Sequence, residues 1–297
     1  MRLDFQADDF GATSTVTSNI AAAWQKGVLT GFSVLANGEA LHEAAQVATA
    51  SSTAGQPRIA VHLNLTEGRP LLDQTAMPSF VDNSGRFYLG FLGLLGLWQR
   101  STSRRRRQLL RQVEDEWRSQ IQTVRSAFSP CPVVGVDGHI HVHMLPFLFP
   151  IAARLARDFD IPEIRVSDEV FHLNSIQGFA PALTKNLAKA LLLSSLARRA
   201  RRTAESYGLT SAERIAGVLY SGRLQIDSVL AAIRAAHRRR LGWLEIVCHP
   251  GRAAQNDAVR WARQPWLLQF YMDPARDTER DALISLGSQL RPWRLPQ

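Results

Sequence analysis

The 297 residues, 45% of them hydrophobic, are enough to bury the core of one large α/β domain of barrel size. Two cysteines, Cys131 and Cys248, are too few and too far apart for a disulfide framework, and they indicate a reducing environment. The 35 basic and 26 acidic residues give a formal charge of +9. This charge suits a nucleic acid, an anionic membrane surface or an acidic substrate.

Much of the positive charge lies in three clusters, at residues 104–107, 198–202 and 238–240. They lack the interleaved aromatic side chains of a groove for single-stranded nucleic acid, so we expect no nucleic acid partner. One interpretation is a solvated helix face. The other is peripheral contact with an anionic membrane, because the apolar segments 87–98 and 183–197 each run towards a basic cluster.

We expect no secretory signal at the N-terminus, because no apolar core precedes the first predicted strand. The longest apolar run, residues 87–98, is shorter than the roughly 20 residues that cross a bilayer. We therefore expect a cytoplasmic protein, with the inner membrane surface as the place of any peripheral contact. A homo-oligomer is compatible with the sequence.

Short apolar runs alternate with helical stretches, which is the pattern of repeated βα units. Strands are predicted over residues 3–7, 29–36, 58–63, 132–137, 163–167, 218–220, 243–248 and 266–272. Helices are predicted over residues 15–26, 39–50, 102–127 and 147–158. Residues 168–214 carry no strand signal and are predicted to form a helical insertion. The expected organisation is a single α/β domain over residues 1–297.

Four polar segments each lie where a predicted strand meets its following loop. They read ADDFG at 7–11, VHLNLTEG at 61–68, DGHIHVH at 137–143 and CHPG at 248–251. In parallel α/β barrels, catalytic groups collect at this edge of the sheet. Four unrelated polar segments are not expected to lie at strand ends by chance. Together, the segments therefore predict one site.

Asp8 and Asp9 directly follow the first predicted strand. Two adjacent carboxylates in a site that excludes water repel each other unless a cation or a proton intervenes. The alternative is an acidic pair that caps the next helix, near residues 13–15. Gly11 allows a tight turn under either interpretation.

His139, His141 and His143 alternate along the chain. In an extended segment, residues two apart share a face, so these imidazoles and Asp137 would point the same way. Imidazole is the commonest side-chain metal ligand. Three ligands from one strand would be crowded, so we expect one or two of the histidines to support the ligands or contact the substrate.

His62 and His249 are weaker signals when each is taken alone. His62 ends an apolar strand, where a lone histidine is more often part of the core than a ligand. His249 precedes Pro250, which keeps the histidine's backbone extended. Their position at the same edge of the predicted sheet supports the prediction that both histidines belong to the site.

In chain order, ADDFG, HLNLTEGRP, DGHIHVHMLP and CHPG resemble the pattern of the YdjC-like carbohydrate deacetylases, also called the ChbG/HpnK family. Residues 35–38, and Glu116 with Gln120, are similar to further family positions. The resemblance covers residues 3–167 and returns at 243–251. It implies a distorted TIM-like (β/α) barrel that hydrolyses the N-acetyl group of an amino sugar and releases acetate.

The resemblance also implies one divalent metal ion, Mg or Zn, held by Asp9, His62 and His139. Asp8 matches the catalytic base. His249 is similar to the histidine that acts as an acid or orients the substrate in related deacetylases. As an imidazolium it would protonate the departing amine.

Four further residues are expected to support the ligands or contact the substrate: Asp137, His141, His143 and Arg165. Residues 183–202 of the predicted insertion and segment 87–98 resemble the hopanoid-associated branch more than the chito-oligosaccharide branch. An N-acetylated oligosaccharide and a glycolipid therefore both fit as the substrate.

Two other functional classes fit the residues. A metal-dependent phosphoesterase or glycosidase would use the same acids and histidines, and phosphoesterases often bind two metal ions. A non-enzymatic basic module for a membrane or nucleic acid would have no use for acids and histidines at strand ends.

Overall fold

The structure, a computed structural model, describes residues 1–50, 55–172 and 181–290. Within these ranges, seven parallel strands form one sheet in the order β5-β4-β3-β2-β1-β7-β6. The strands are β1 Arg2–Phe10, β2 Gly31–Val34, β3 Arg58–Leu63, β4 Val133–Gly138, β5 Glu163–Ile164, β6 Arg214–Ala216 and β7 Trp243–Cys248. The helices are α1 Ser14–Lys26, α2 Leu41–Thr49, α3 Phe91–Gln99, α4 Ser103–Ala127, α5 Phe149–Asp158, α6 Pro181–Ser206, α7 Ile226–Arg238, α8 Pro265–Tyr271 and α9 Ala275–Leu290.

The sheet curls so that its two edges meet. Isolated parallel bridges join Glu163 to Thr210 and Glu169 to Ile215. At the first bridge, the backbone N–H of Ile164 donates to the carbonyl of Thr210 over 3.0 Å. The helices surround the sheet, so the fold is a distorted TIM-like α/β barrel, and the predicted fold class is confirmed.

Helix α4 shows how the sequence pattern places a helix against the barrel. Its buried apolar residues recur every three or four positions, at Leu109, Val113, Trp117, Ile121 and Val124. On the same face, the side-chain amide of Gln120 forms two 2.8 Å hydrogen bonds with the backbone N–H and carbonyl of Asn64. The helix therefore fixes the loop that follows β3, where part of the candidate site lies.

Two predicted strands are wrong. Residues 266–272 fall on α8 because Pro265 occupies the first turn of a helix, where its missing N–H costs nothing. Residues 218–220 follow β6 as a turn. There the backbone N–H groups of Val218 and Leu219 donate to the carboxylate of Glu169, over 3.1 and 3.3 Å, and not to a neighbouring strand.

Helix α6 lies in the segment predicted as a helical insertion, and residues 173–180 of that segment lie outside the described ranges. Its buried Ala190, Leu193 and Ala197 pack into the core, whereas Leu191 and Leu192 are 55% and 38% exposed. No helix in the described ranges is long and apolar enough to cross a bilayer.

The apolar segment 87–98 largely packs inward. Leu94 in α3 is buried, and the ring of Trp98 stacks on that of Phe147 with 4.3 Å between centroids. Tyr88 and Leu92 are the exceptions, because they are 48% and 70% exposed. This packing favours a role for the segment as a helical cover over the barrel, and not as a surface for contact with a membrane.

Candidate metal centre and active site

The carboxyl ends of β1, β3 and β4 bring five of the predicted residues together. Asp8 and Asp9 come from β1, His62 from β3, Asp137 from β4, and His139 from the 3-10 turn that follows β4. All five are buried. The structure therefore brings these five residues together at the edge of the sheet where the sequence predicted them.

Asp9, His62 and His139 form a cluster that could hold one metal ion. Asp9 Oδ1 lies 3.0 Å from His139 Nδ1 and 3.6 Å from His62 Nε2, and the two nitrogens are 3.3 Å apart. Ligand atoms at 2.0–2.1 Å from one ion lie about 2.8–3.4 Å from each other in tetrahedral or octahedral geometry. Asp9 Oδ2 is buried without a hydrogen-bond partner among the described residues. The donor set fits one divalent cation, with two of the three distances inside this range and the Asp9–His62 distance of 3.6 Å slightly above it.

A carboxylate lies behind each imidazole of this cluster. His62 Nδ1 donates to Asp137 Oδ1 over 2.6 Å, which leaves Nε2 facing Asp9. Glu67 Oε2 lies 3.6 Å from His139 Nε2 on the far side of that ring. A carboxylate that is hydrogen-bonded in this way, as Asp137 is to His62, orients a metal-binding histidine and raises its basicity. Glu67 is too far from His139 Nε2 for a hydrogen bond. Burial lowers the pKa of His62, but the carboxylates of Asp8 and Asp137 outweigh it and raise that pKa to about 9.

Asp8 is paired with a buried arginine and not with the metal cluster. Nη1 and Nη2 of Arg165 donate to Oδ2 and Oδ1 of Asp8 over 2.8 and 2.9 Å. Nη2 also lies 2.8 Å from Asp137 and 2.7 Å from Glu245. Asp8, His62 and Asp137 lie close enough to hold a second ion. However, the guanidinium already forms ion pairs with both carboxylates, so the geometry favours a single metal site.

The backbone at the site is left-handed at three residues other than glycine. The φ angles are 66° at Asp9, 47° at Ile140 and 63° at His141. In a regular strand, Asp8 and Asp9 would point to opposite faces. The left-handed turn at Asp9 instead lets both carboxylates lie near His62.

The turn over His139–Met144 corrects the expectation of an extended histidine run with one shared face. Only His139 reaches the metal cluster. His141 Nδ1 lies 2.8 Å from Ser167 Oγ, and His143 Nε2 donates to the carbonyl of Arg165 over 2.9 Å. Burial lowers the pKa of His143 to about 4 and that of His141 well below its usual range. Both are neutral groups that hold the chain around Arg165.

Gly138 makes this turn possible. A Cβ at this position would lie 2.7 Å from His143 Nδ1, which no side chain tolerates without a shift. The glycine therefore lets the turn fold back against the end of β4.

His249 lies in the loop after β7, where its backbone N–H donates to Glu279 Oε1 over 2.6 Å. Its imidazole meets the ring of Phe270 edge-on, with 5.3 Å between centroids. Burial lowers the pKa of His249 well below its usual range, although Asp9 acts in the opposite direction. The resting site therefore favours a neutral imidazole, which revises the expected imidazolium.

Three residues near the site were missed. Glu67 lies in the HLNLTEG motif, whose acid could have been noticed. Lys189 on α6 lies near the carboxylates of Asp8 and Glu169, and burial lowers its pKa to about 8. Arg276 on α9 approaches Asp9 to 3.7 Å. Neither Lys189 nor Arg276 belongs to a motif, so no sequence pattern marks them.

The fold and the site together define a TIM-like barrel protein with a buried Asp–His–His cluster at the carboxyl ends of its strands. The chain belongs to the YdjC-like family, because the family model described as YdjC-like protein matches residues 2–289. The resemblance seen in the sequence is therefore confirmed.

Several relatives of the chain carry deacetylase names. The chain is 34% identical over 201 residues to the chitooligosaccharide deacetylase of Escherichia fergusonii, covering 64% of this chain and 72% of that one. It is 28% identical to the chitooligosaccharide deacetylase of Yersinia pestis, covering 82% and 79%. The carbohydrate deacetylase of Oceanobacillus iheyensis is 30% identical, covering 57% and 66%.

A solved structure from Enterococcus faecalis V583 shares the fold. Its TM-score is 0.68 at 21% identity, covering 98% of this chain and 94% of that one. Its name assigns it provisionally to cellobiose-phosphate cleavage. At this identity the likeness bears on the fold alone.

Proposed function

We propose that this protein is a metal-dependent carbohydrate de-N-acetylase, which hydrolyses the N-acetyl group of an amino sugar and releases acetate. The observation that carries the proposal is the Asp9–His62–His139 cluster, with Asp8 buried beside it on Arg165. A metal-ligand set next to a separate, positioned carboxylate is what hydrolysis of an amide requires. The deacetylase names of the relatives support the same reaction.

Asp9, His62 and His139 would hold the ion. A divalent ion there supplies positive charge that polarises the acetamide carbonyl and makes a neighbouring water more acidic. Two imidazoles favour Zn, whereas a carboxylate with open positions for water also suits Mg.

Asp8 is the proposed general base. It accepts a proton from the attacking water, whose oxygen bonds to the acetamide carbon. Burial raises the pKa of Asp8, although Arg165 counteracts this effect. A carboxylate with a raised pKa is a better proton acceptor near neutral pH. Arg165 fixes the direction of the carboxylate through two hydrogen bonds, so the proton is taken at a defined position.

The departing amine needs a proton when the C–N bond breaks. We propose that Asp8 donates this proton to the amine, because Asp8 has just received a proton from the attacking water. His249, neutral in the resting site, is the proposed group that orients the sugar amide by a hydrogen bond. Of the two roles that the family resemblance implies for His249, acid or substrate-orienting group, this proposal uses the second.

Two rival classes are less well supported. A two-metal phosphoesterase would need the second cluster, of Asp8, His62 and Asp137, to bind a cation. Arg165 already occupies that position with its own positive charge. A purely structural binding module would not need a buried carboxylate and two imidazoles at ligand spacing.

The substrate we favour is an N-acetylated oligosaccharide, with a glycolipid as the alternative. The alternative draws on the solvent face of α6, which exposes Leu191 and Leu192. Further along the same helix, Arg198, Arg199 and Arg202 line a surface groove with serines and a threonine. Between residues 184 and 204 the helix has no acidic residue. Such a face suits an anionic membrane surface, with about 1 kcal/mol of attraction for each arginine.

We expect the protein in the cytoplasm, with the membrane contact as a peripheral one. Vesicle co-sedimentation tests this contact. Changing Arg198, Arg199 and Arg202 to Gln should abolish binding to phosphatidylglycerol vesicles at low salt. The matched control changes Arg104, Arg105 and Arg107 to Gln on α4. Equal recovery of the wild-type protein in the supernatant with anionic and with neutral vesicles would exclude the membrane contact.

The deacetylase proposal is tested by acetate release from N-acetylglucosamine oligomers and from N-acetylated glycolipids, with bound metal measured in parallel. We expect acetate release that stops with a chelator and returns with one equivalent of Mg²⁺ or Zn²⁺ per chain. Phosphate release with two equivalents of metal, and no acetate, would support the phosphoesterase instead.

A further inference from the structure

Arg276, near the start of α9, is a fully buried arginine whose outer nitrogens lack a partner. Its relative exposure is 0%. Nε donates to the carbonyl oxygen of Gly251 over 2.9 Å. Nη1 and Nη2 make no hydrogen bond within the described part of the chain. Leaving buried charged donors unpaired is costly, so these nitrogens indicate a position for a ligand with oxygen acceptors.

The guanidinium is held in a fixed orientation. Its central carbon lies 4.7 Å from the ring centroid of Phe270 and 4.9 Å from that of Tyr271. The backbone N–H of Gly251 also donates to the carbonyl of Arg276 over 2.7 Å. These contacts position the guanidinium, but the aromatic rings offer its Nη groups no oxygen acceptor.

The unpartnered nitrogens of Arg276 lie beside the metal cluster. Nη1 is 3.7 Å from Asp9 Oδ2, which is too long for a hydrogen bond. His249 Nδ1 and the Tyr271 hydroxyl are also buried without partners among the described residues. The charges of Asp9 and Arg276 both act on the pKa of His249 and of Tyr271, so the groups lie close together. A simple ion pair with Asp9 does not account for this set.

We propose that Arg276 is a catalytic residue that binds the acetyl oxygens during turnover and then holds the acetate product. This proposal rests on the deacetylase function proposed above. A guanidinium offers two parallel N–H groups that match the two oxygens of a carboxylate. Before the C–N bond breaks, the same groups donate to the carbonyl oxygen as it gains negative charge.

The chemistry balances without any change in Arg276. Water adds its oxygen to the acetamide carbon and gives a proton to Asp8. The C–N bond then breaks, the electron pair leaves with nitrogen, and the amine takes that proton from Asp8. The second proton of the water passes from the carboxyl product to the amine or to solvent. The carbon leaves as acetate, with one oxygen from the substrate and one from water. Arg276 keeps all its protons and contributes only hydrogen bonds and charge.

The test measures acetate binding directly, by the line width of the carboxyl signal of ¹³C-labelled acetate in NMR. Chelator-treated protein is used so that acetate cannot bind to the metal, and the measurement needs no turnover. Wild type should broaden the signal. Arg276→Gln should weaken binding by about 10- to 100-fold, the scale of lost hydrogen bonds to a charged group. Arg280→Gln, one helical turn later on α9, is the matched control and should bind like wild type.

Kinetics then supply the catalytic part of the test. With metal restored, Arg276→Gln should lose about 10²–10³-fold in kcat, the usual effect of removing an oxyanion donor. Acetate should also become a poorer product inhibitor. If the glutamine variant does not fold, Arg276→Lys is judged instead, because lysine keeps the charge but lacks the two parallel donors.

Equal acetate affinity in wild type and a folded Arg276 variant would overturn the proposal and leave Arg276 as a counter-charge for Asp9. Failure of the wild type to release acetate from any N-acetylated sugar would instead count against the proposed function. Since acetate binding is measured without turnover, the two failures are distinguishable.

Discussion

Arg165 donates two hydrogen bonds to the carboxylate of Asp8, over 2.8 and 2.9 Å, and both side chains are buried. The same guanidinium contacts Asp137 and Glu245. One arginine therefore links the proposed base to the carboxylate that orients His62. The proposed base and the metal ligands are positioned by a single network of charges.

We expect Arg165→Met to destabilise the fold by about 3–5 kcal/mol, because it leaves buried carboxylates without their counter-charge. Arg165→Lys keeps the charge but loses the two parallel hydrogen bonds, so it should retain more stability than turnover. Denaturant unfolding and kcat measured on the same samples check both expectations. Wild-type turnover in the lysine variant would argue against a positioned base.

The two neighbouring aspartates should behave differently when substituted. Asp9→Ala, like His62→Ala and His139→Ala, removes a proposed ligand and should weaken metal binding. Asp8→Asn should keep its metal and lose about 10²–10⁴-fold in turnover, the usual range for a positioned base. Metal content per chain and kcat separate the two roles. Full activity of purified Asp8→Asn would remove Asp8 from the mechanism.

The carboxylates behind the imidazoles should tune metal affinity. We expect Asp137→Asn and Glu67→Gln each to weaken metal binding by about 10- to 100-fold. Glu116→Gln is a suitable control, because Glu116 is also fully buried but accepts from the backbone N–H groups of Leu71 and Leu72. A competition titration with a chromophoric chelator measures all three. Affinities that match the control would show that these carboxylates do not act on the ligands.

Metal binding should release a proton from His62. Its pKa of about 9 in the metal-free chain means that Nε2 is protonated at neutral pH. Nε2 must lose this proton to become a ligand, so metal affinity should rise with pH until about pH 9. Calorimetry at pH 7.5 in buffers of different ionisation enthalpy counts the protons released. An apparent binding enthalpy that is the same in every buffer would contradict a protonated His62.

His249 should not control the alkaline side of the pH profile. Burial lowers its folded-state pKa, so it is already neutral across the neutral and alkaline range. His249→Asn should therefore lower the plateau of kcat/KM while its alkaline limb keeps the wild-type pKa. If that limb disappears in the variant, His249 acts as an imidazolium after all and our assignment of the amine's proton to Asp8 is wrong.

The sequence predicted the site best where polar residues follow buried strands. Asp9 and His62 could be placed together because the carboxyl ends of parallel strands share one edge. The histidine run could not be read correctly, because alternation predicts an extended strand. The turn is instead left-handed at Ile140, a conformation that a β-branched residue disfavours. Contacts with the rest of the fold overrode local preference there.

Other features depend on contacts between distant parts of the chain. Aromatic residues at 266–272 predicted a strand, and Pro265 was the overlooked sign of a helix start. Arg276 resembles any arginine on a polar helix until the fold buries it beside Asp9. No local pattern marks such a residue.

The left-handed backbone at Asp9, Ile140 and His141 costs about 1–3 kcal/mol at each position. Glycine adopts the same conformation without that penalty. A glycine at position 140 would, however, also remove an isoleucine side chain that packs against the core. Selection for heat resistance alone therefore gains little by relaxing this turn. The left-handed turn and the apolar packing of Ile140 should thus be inherited together.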